Sequence, residues 1–538
     1  MKLNLKELAD KEQWLQAGFA LPQFDPRKAA DTAKTAPVWI HFGAGNIFRA
    51  FPARCWQELL DKGIETSGII VAEGYDYEIV DAAFAPHDNL TLAVTLKADG
   101  SIEKTVVASI TEALKADAAL PDYQRLREAF RAPSLQMVSF TITEKGYSLR
   151  QGDAMMPLVA EDFKTGPAAP KSYIGKVAAL LYERYLNGGL PVAMVSMDNC
   201  SHNGDKLYDA VHAFAVEWCR AGLAEAGFLA YVEAPDKVSF PWSMIDKITP
   251  RPDEGVKKML LEAGFEDVET KATAKHTYVA PFVNAEETEY LIIEDLFPNG
   301  RPGLDRAGII YTDRATVDKV EKMKVCTCLN PLHTAMAIFG CLLGHTKISE
   351  EMKDADIRRL VEIVGYDEGM PVVVDPGIVN PSSFLDQVVN VRLPNPFMPD
   401  TPQRIASDTS QKLPIRFGET IKLYRARPDL EVRNLRLIPL VLAAYCRYLM
   451  GVDDNGNAFE VSPDPRYAEL SAHVKGVALG DSGPFHAVLR PLLADAGLFG
   501  VDLYAVGLGE RVEGYFAELT AGPGAVRKTL HKYVSMTK

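Results

Sequence analysis

Residues 38–50, VWIHFGAGNIFRA, decide the fold that the sequence predicts. The run from Val38 to Phe42 is mostly β-branched or aromatic and predicts a buried strand, while Phe48 to Leu60 carry apolar residues at helical spacing. Gly43 and Gly45 stand between these two elements. A strand, a glycine-rich turn and a helix in this order are typical of a mononucleotide-binding unit.

Further strands of the same kind follow along the chain. They are apolar and rich in β-formers, and each comes after a helical stretch: Gly68–Ala72, Met137–Thr143 and Val192–Met197. Strands that alternate with helices build a parallel sheet covered on both faces. We therefore predict an α/β fold of the Rossmann type with a parallel-rich sheet in the N-terminal half.

The pattern changes after about residue 290, where helical periodicity dominates and few strand-like runs remain. A chain of 538 residues is also too long for a single hydrophobic core. We predict an N-terminal extension at 1–35, a Rossmann-type domain at 36–290, and a mainly α-helical substrate and catalytic domain at 291–538. The stretch DPRKAADTAKTAP, which ends the extension, is predicted to be a connector.

The glycine-rich turn has the chemistry of a pyrophosphate-binding site. Its glycines allow a close backbone approach, and the helix that follows offers unpaired N–H groups with a partial positive charge. The third glycine of the usual GxGxxG pattern is replaced by Phe48. A turn without a ligand is the alternative, but the flanking strand and helix favour a cofactor contact through residues Gly43, Ala44, Gly45, Asn46, Ile47, Phe48 and Arg49.

An acidic residue, Glu73, follows the second strand directly. A carboxylate at this position accepts hydrogen bonds from the adenosine ribose hydroxyls of a dinucleotide. The same negative charge repels the 2′-phosphate of NADP. The sequence therefore predicts NAD as the cofactor.

A second group of polar residues lies in the segment EKMKVCTCLNPLH at 321–333. Apolar neighbours disfavour the charged form of Lys324, which suits this lysine to take a proton from an alcohol. Glu321, one helical turn earlier, could relay the proton, and Pro331 should break the helix with Asn330 as N-cap. The alternative is that Asn330 only caps, His333 only fills space and Lys324 extends to solvent.

Composition and charge exclude several classes of protein. The formal net charge of −14 argues against nucleic-acid binding. No uninterrupted apolar run approaches the ~20 residues of a membrane-spanning helix, and the charged N-terminus does not resemble a signal peptide. The seven cysteines are scattered, which favours reduced thiols and no bound metal. We expect a cytoplasmic protein that binds neither membrane nor nucleic acid.

Six separated motifs resemble the mannitol dehydrogenase family of polyol-specific dehydrogenases, and the resemblance runs from about residue 36 to the C-terminal helices. They are HFGAGNIFRAF at 41–51, TITEKGY at 141–147, SMDNCSHNGD at 196–205, FPWSMIDKITP at 240–250, KVCTCLNPLHT at 324–334 and RIASDTSQK at 404–412. The resemblance implies metal-independent oxidation of a secondary alcohol, or reduction of a ketone, with a nicotinamide cofactor.

The resemblance also assigns roles to individual residues. It implies Lys324 as the catalytic acid and base, Asn199 and Asn330 as amides that hold the reacting oxygen, His333 as a substrate contact and Glu321 as a proton relay. It places Asp246, Arg404 and Lys412 in substrate binding and Glu144 among the cofactor contacts. Arg404, Asp408 and Lys412 stand at helical spacing, so a solvated ladder of ion pairs is the alternative for them.

One departure from the family concerns the helix register. Asn330 follows Lys324 by six residues where five are usual, and at about 100° per residue the extra position rotates the lysine away from its partners. A bulge between Cys326 and Leu329 would restore the geometry. The sequence therefore predicts either such a bulge or a different base.

Within the family, the sequence motif MKVCTCLNPLHTA looks most like that of the hexuronate-pathway members, which interconvert fructuronate and mannonate. Tagaturonate reductase and mannitol 2-dehydrogenase are the alternatives. The expected partner is a sugar acid or polyol, bound by a monomer or small homo-oligomer. A non-enzymatic alternative is an NAD-binding redox regulator, although no basic helix of the kind that binds DNA stands out.

Overall fold

The computed structural model describes residues 1–536. The chain divides into two compact units. The first consists of Met1–Lys97 and Ser101–Asp318, and the second consists of Ala98–Gly100 and the chain from Lys319 onward.

The first unit contains a sheet of six strands, all parallel to their neighbours. Its strands in chain order are β1 (Trp39–Phe42), β2 (Ile69–Glu73), β3 (Ile110–Lys115), β4 (Met137–Phe140), β5 (Val192–Ser196) and β6 (Val238–Ser239). They lie in the order β3-β2-β1-β4-β5-β6. This is the strand order of a dinucleotide-binding Rossmann fold, and the predicted fold class is confirmed.

Both faces of this sheet are buried, as parallel strands require. Successive side chains point to opposite faces, so Ile40 and Phe42 join one apolar cluster while Trp39 joins the other. Helices follow the strands: Asn46–Ala50, Pro52–Asp61, Pro121–Arg131, Pro157–Thr165, Tyr173–Leu186, Asn203–Arg220 and Gly227–Glu233.

The predicted helix after the glycine turn is present in two pieces, Asn46–Ala50 and Pro52–Asp61. Phe51, with φ −122° and ψ −77°, separates them. Pro52 lacks an N–H and therefore cannot continue the hydrogen-bond ladder of the first piece. The break leaves a short helix directly behind the turn.

Two further sheets belong to the first unit. One has four strands, in the order Phe19–Ala20, Ile102–Val107, Thr91–Leu96 and Phe282–Glu286, and the other has three, in the order Ser243–Asp246, Tyr290–Glu294 and Ile310–Thr312. These pairings hold the chain in the first unit as far as Thr312. The structural boundary therefore lies at Asp318, later than the predicted residue 290.

The predicted connector is a helix instead, Pro26–Thr35. Asp25 caps it by accepting a hydrogen bond from the Arg27 amide at 3.0 Å, and Pro26 occupies the first turn, where a missing N–H costs nothing. Ala29 and Ala33, four residues apart, are buried on one face. The many small residues that suggested a linker are good helix formers packed against the first unit.

The remaining elements of the first unit are short. They are Glu7–Ala9, Lys11–Gln16, Val80–Phe84, Ala85–His87, Glu144–Tyr147, Glu254–Glu262 and Leu304–Ala307 among the helical segments, and Arg150–Gln151 with Ala154–Met155 and Lys271–Ala272 with Tyr278–Val279 as two-stranded hairpins.

The second unit is helical, and as far as Met536 it contains no strand, which confirms the predicted class of this half. Helices Asn330–Leu343 and Leu437–Tyr448 are apolar nearly all round and pack against each other in its core. The others are Ile348–Glu351, Ala355–Glu362, Ile363–Gly369, Met370–Val372, Pro381–Gln387, Val388–Arg392, Pro402–Ile405, Thr409–Leu413, Pro414–Gly418, Glu419–Ala426, Val432–Asn434, Tyr467–Val474, His486–Leu493, Ala496–Phe499, Gly509–Leu519 and Ala525–Ser535.

The helical run Arg314–Leu343 joins three segments: Arg314–Met323, Lys324–Cys328 and Asn330–Leu343. By length and composition alone this run could cross a membrane, which the sequence did not predict. However, 78% of its most apolar window is buried inside the protein. Such burial is the pattern of a core helix.

Candidate active site

The glycine turn after β1 has a backbone that other residues cannot adopt. Gly43 has φ +105°, and a Cβ atom built on it would lie 2.3 Å from the Thr141 carbonyl oxygen at the end of β4. A Cβ atom on Gly45 would meet no protein atom within 4 Å. The first glycine is therefore needed by the fold itself, while the second faces open space where a ligand could approach.

A cavity of about 710 Å³ opens at this turn, at the carboxyl ends of β1, β2 and β4. This edge of the sheet is where open α/β folds bind ligands. The residues around it include Gly43, Ala44, Gly45, Glu73, Tyr75, Asp76, Thr141, Thr143, Lys145 and Tyr173. The cavity and its glycine rim fit a dinucleotide.

Glu73 is held rigidly at the rim of this cavity. Its side chain is buried, and its Oε2 accepts a hydrogen bond from the Ala44 amide at 3.0 Å. Its Oε1 accepts from the amides of Tyr75 and Asp76, at 2.8 and 3.1 Å. The carboxylate therefore ties the end of β2 to the glycine turn and presents a fixed negative charge to the cavity.

A chain of hydrogen bonds that begins at Trp39 and ends at the Gly43 carbonyl supports the glycine turn. The Trp39 indole donates to the Ser139 hydroxyl at 2.7 Å, and Ser139 lies 2.7 Å from His41 Nδ1. His41 Nε2 lies 2.9 Å from the Thr141 hydroxyl, which donates to the Gly43 carbonyl at 3.4 Å. A neutral His41 with its proton on Nε2 satisfies every bond of this chain, because the Ser139 hydroxyl can accept from the indole and donate to Nδ1. Burial lowers the pKa of His41 well below its usual value, so the chain is neutral.

Phe48 and Arg49 were predicted as cofactor contacts, but their side chains lie elsewhere. Phe48 stacks on His41 with ring centroids 3.5 Å apart, which explains how the helix packs without the usual third glycine. The Arg49 guanidinium donates to the Thr91 hydroxyl at 2.9 Å and to the Ala280 carbonyl at 3.0 Å, and burial lowers its pKa to about 9. Both side chains stabilise the turn through contacts with protein residues rather than with the cavity.

Three other predicted cofactor contacts lie outside the rim of the cavity. Asn46 and Ile47 begin the short helix, and the role of their amides stays a prediction. Glu144 forms an ion pair with Lys206 at 3.0 Å and lines a separate cavity of about 740 Å³. Its neighbour Lys145 lines the cavity at the glycine turn instead, because the short helical turn at 144–147 points adjacent side chains apart.

Asn199 is exposed on the loop after β5, next to the buried Asp198. Asp198 accepts hydrogen bonds from the amides of Ile142 and Thr143, at 2.9 and 2.8 Å, and from the Tyr147 hydroxyl at 2.5 Å. Burial raises the pKa of Asp198, and these bonds act in the opposite direction. Sequence reasoning missed Asp198, although it directly precedes Asn199 in the quoted motif.

Asp246 ends the strand Ser243–Asp246 and is buried. The strand is tied to the Asn199 loop by the buried amide of Asn203, which donates to the carbonyls of Asp198 and Ser243, each at 3.0 Å. The Asn203 oxygen accepts from the Ser243 amide at 2.9 Å. The fold of the first unit thus brings together the segments that carry two of the predicted substrate contacts.

In the second unit, Lys324 is buried and begins a π-helical turn, Lys324–Cys328. The Leu329 amide donates to the Lys324 carbonyl at 3.1 Å, five residues back rather than four. A π turn accommodates one extra residue within a helix. The predicted bulge is confirmed, and it offsets the extra residue between Lys324 and Asn330. Glu321 lies half-buried on the preceding helix.

The helix that follows starts at Asn330, with Leu329 as its N-cap. The Leu329 carbonyl accepts the first intrahelical bond, from the His333 amide at 3.2 Å. Asn330 is therefore the first helical residue rather than the predicted cap, because the break lies one residue earlier, at Leu329, where the π turn ends. Asn330 and His333, three residues apart, share one helix face.

Arg416, in the π turn Pro414–Gly418, was not predicted. Its Nη1 donates to the Thr334 hydroxyl at 2.5 Å and to the Asn330 carbonyl at 3.3 Å. Burial lowers its pKa to about 10. Arg416 therefore anchors the first turn of the helix that carries Asn330 and His333.

The solvated ladder of ion pairs that was the alternative for Arg404, Asp408 and Lys412 does not form. The helix Pro402–Ile405 ends early, and Asp408 has a left-handed backbone with φ +53°. Arg404, whose side chain is 66% exposed, pairs with Asp400. Lys412 donates to the carbonyls of Ile405, at 3.0 Å, and Ser407, and burial lowers its pKa to about 8.

No group of three or more His, Cys, Asp or Glu residues within positions 1–536 is arranged to hold a metal ion. The seven cysteines are all free thiols, and four of them are buried. Burial raises the pKa of Cys328 to about 12.

Comparison with known proteins assigns the chain to a protein family. Residues 38–306 match the family model of the mannitol dehydrogenase Rossmann domain, and residues 316–503 match that of the mannitol dehydrogenase C-terminal domain. The chain therefore belongs to the mannitol dehydrogenase family, as its motifs predicted. It is an oxidoreductase, which removes the alternative of a non-enzymatic regulator.

Individual relatives cover the whole length of the chain. It is 53% identical to a D-mannonate oxidoreductase of Thermotoga maritima, with 99% of each chain covered. It is 30% identical to a mannitol 2-dehydrogenase of Neosartorya fischeri, again with 99% of each covered. Among solved structures, the mannitol 2-dehydrogenase of Pseudomonas fluorescens, a ternary complex with NAD and D-mannitol, is 26% identical with a TM-score of 0.69 over 100% of both chains.

Proposed function

We propose that this protein reduces D-fructuronate to D-mannonate with NADH and catalyses the reverse oxidation. The observation that carries the proposal is the 53% identity, over 99% of both chains, to a D-mannonate oxidoreductase. The mannitol 2-dehydrogenase relative, at 30% identity over the same length, favours a polyol as the second candidate substrate.

The cofactor site of the proposal is the cavity at Gly43 and Gly45. When bound, NAD supplies the nicotinamide carbon that exchanges a hydride with the substrate. The turn receives the pyrophosphate through backbone amides, since Gly45 leaves the space in front of it open. Glu73 accepts hydrogen bonds from the ribose hydroxyls and repels a 2′-phosphate, so that NAD is preferred to NADP.

The catalytic roles follow the family resemblance. Lys324 takes the proton of the alcohol during oxidation and returns it during reduction. Its burial at the start of the π turn supports this role, because a buried side chain has a fixed position and is shielded from bulk water. Asn199 and Asn330 donate amide hydrogen bonds to the reacting oxygen. His333 and Asp246 orient the substrate, and Glu321 relays the proton.

The proposal is tested by measuring NADH and NADPH oxidation with D-fructuronate, D-tagaturonate and D-fructose side by side. We expect D-fructuronate with NADH to have the highest kcat/KM. Preference for tagaturonate would identify a different hexuronate, and preference for fructose would identify a mannitol 2-dehydrogenase. Absence of turnover with all three, despite NADH binding, would refute the proposed reaction class.

We further propose a cytoplasmic enzyme that works as a monomer or small homo-oligomer. The seven free cysteines support a reducing compartment. Sedimentation of the purified protein at several concentrations measures the oligomeric state.

A further inference from the structure

The second unit contains a cation, Arg416, whose charge is not balanced by any carboxylate in the described part of the chain. Arg416 has two hydrogen-bond acceptors, the Asn330 carbonyl and the Thr334 hydroxyl, and both bind its Nη1. Both acceptors are uncharged. Among residues 1–536, no carboxylate forms an ion pair with this guanidinium.

The other nitrogens of Arg416, Nε and Nη2, are left without a partner in the described chain, and they are not sealed in the core. Arg416 is half-buried, and neither nitrogen is fully sealed from solvent. A guanidinium that uses one nitrogen for protein contacts and keeps the other two available presents a fork for two parallel hydrogen bonds. Carboxylates are the groups that such a fork matches best.

A second cation stands next to the first. Lys412, four residues earlier, donates to two backbone carbonyls, and no carboxylate pairs with it in the described structure. After burial, the largest influence that lowers the pKa of Lys412 is the charge of Arg416. Two like charges that destabilise each other at a half-buried position are relieved when an anion binds between or beside them.

Arg404 is the less suitable candidate for this role. It is exposed and already paired with Asp400, so its charge is satisfied within the protein. Arg416, in contrast, is held by the carbonyl of Asn330, the residue assigned to the reacting oxygen. A group bound by Arg416 therefore lies close to the reacting end of the second unit.

We propose that Arg416, with Lys412 beside it, binds the carboxylate of the sugar-acid substrate and thereby distinguishes hexuronates from uncharged ketoses. The inference rests on the proposed function, because it names the residues that recognise the substrate class. Arg416 also positions Asn330 through the same guanidinium. The two roles predict different kinetic effects, since loss of carboxylate binding raises KM while displacement of Asn330 lowers kcat.

The test compares the holoenzyme with the variants Arg416→Gln and Arg416→Lys on D-fructuronate and D-fructose. Arg416→Gln removes the charge and retains an uncharged amide donor on a shorter side chain. We expect its KM for fructuronate to rise about 10- to 100-fold, as for a lost hydrogen bond to a charged group, with kcat and the KM for fructose changed much less. Arg416→Lys, which keeps the charge, should recover part of the loss in KM.

Arg425→Gln is the matched control, because Arg425 is exposed on the next helix, Glu419–Ala426, and should keep parent values. A fall in kcat with unchanged KM for fructuronate, and no recovery in Arg416→Lys, would show that Arg416 only positions Asn330 and would overturn the inference. If the wild-type enzyme prefers fructose, that result refutes the proposed function itself, independently of the Arg416 variants. A wild-type preference for tagaturonate leaves the carboxylate prediction intact, with that substrate used in the comparison.

Discussion

The glycine turn of the first unit and the helix break at Leu329 in the second unit depend on different kinds of chemical group. The turn depends mainly on backbone groups: two glycines, the three amides that fix the Glu73 carboxylate, and the Gly43 carbonyl at the end of the neutral hydrogen-bond chain. The helix break depends on two ionisable side chains, Lys324 and Arg416, at two π turns. The glycine turn provides space for a ligand, and the helix break provides ionisable side chains.

The difference shows in how each region tolerates change. A site made of backbone depends on which residues fit a conformation, so steric substitutions should affect it most. A site made of buried charges depends on the chemistry of single side chains, so isosteric substitutions should affect it as strongly as large ones.

The largest effect is expected for Lys324→Ala. Removal of a general acid and base typically costs about 10²- to 10⁴-fold in rate, and kcat should fall by this amount while NADH binding stays nearly unchanged. Stopped-flow turnover and fluorescence titration of NADH measure the two quantities. Lys322→Ala, an exposed neighbour, is the control. Turnover close to wild type would remove Lys324 from its role.

The two glycines of the turn form a matched pair. In Gly45→Ala the new methyl group meets no protein atom within 4 Å, so thermal stability should be unchanged. NADH should bind about 10- to 100-fold more weakly, the loss expected when hydrogen bonds to a charged group are disturbed. Calorimetric titration measures the affinity. Unchanged affinity in a folded variant would place the pyrophosphate elsewhere.

In Gly43→Ala the methyl group would lie 2.3 Å from the Thr141 carbonyl oxygen at φ +105°. The strained backbone should lower the free energy of unfolding by about 1–3 kcal/mol. Chemical denaturation of both glycine variants compares them directly. If Gly45→Ala is destabilised as much as Gly43→Ala, the second glycine serves the fold rather than the ligand.

Glu73→Gln removes the negative charge at the cavity rim but keeps one acceptor oxygen for the amides that bind Glu73. The preference for NADH over NADPH, as a ratio of kcat/KM values, should fall at least about tenfold, since the carboxylate no longer repels the 2′-phosphate near the protein surface. Glu78→Gln, an exposed neighbour that does not line the cavity, is the control. A constant ratio would show that Glu73 only holds the turn.

The smallest effect concerns pH. Burial lowers the pKa of Lys412 to about 8, so this side chain is charged below that value and neutral above it. If its charge attracts the substrate carboxylate, KM for the sugar acid should rise several-fold between pH 7 and 9, while KM for NADH stays level. Lys412→Arg should flatten the rise. A flat profile in the wild type would limit Lys412 to its bonds with the Ile405 and Ser407 carbonyls.

Much of the first region could be predicted because its signals are local. The strand, the turn and Glu73 lie within 36 residues of one another, and their order along the chain dictates how they meet in a parallel sheet. The bulge after Lys324 was likewise visible as one residue too many in a helical spacing. The ion-pair ladder, the alternative considered for Arg404 and Lys412, does not form because the helix that starts at Pro402 ends at Ile405.

The α/β class, the glycine turn with its acidic partner, and the family with its candidate lysine and asparagines follow from the amino-acid sequence. The packing of Phe48 and Arg49 away from the cavity, the bonds of Asp198 to the 142–143 segment and the position of Arg416 beside Asn330 appear only in the folded chain. The physical reason is distance along the chain. Arg49 bonds Ala280 and Arg416 bonds Asn330, and no periodicity within one segment encodes a hydrogen bond to another.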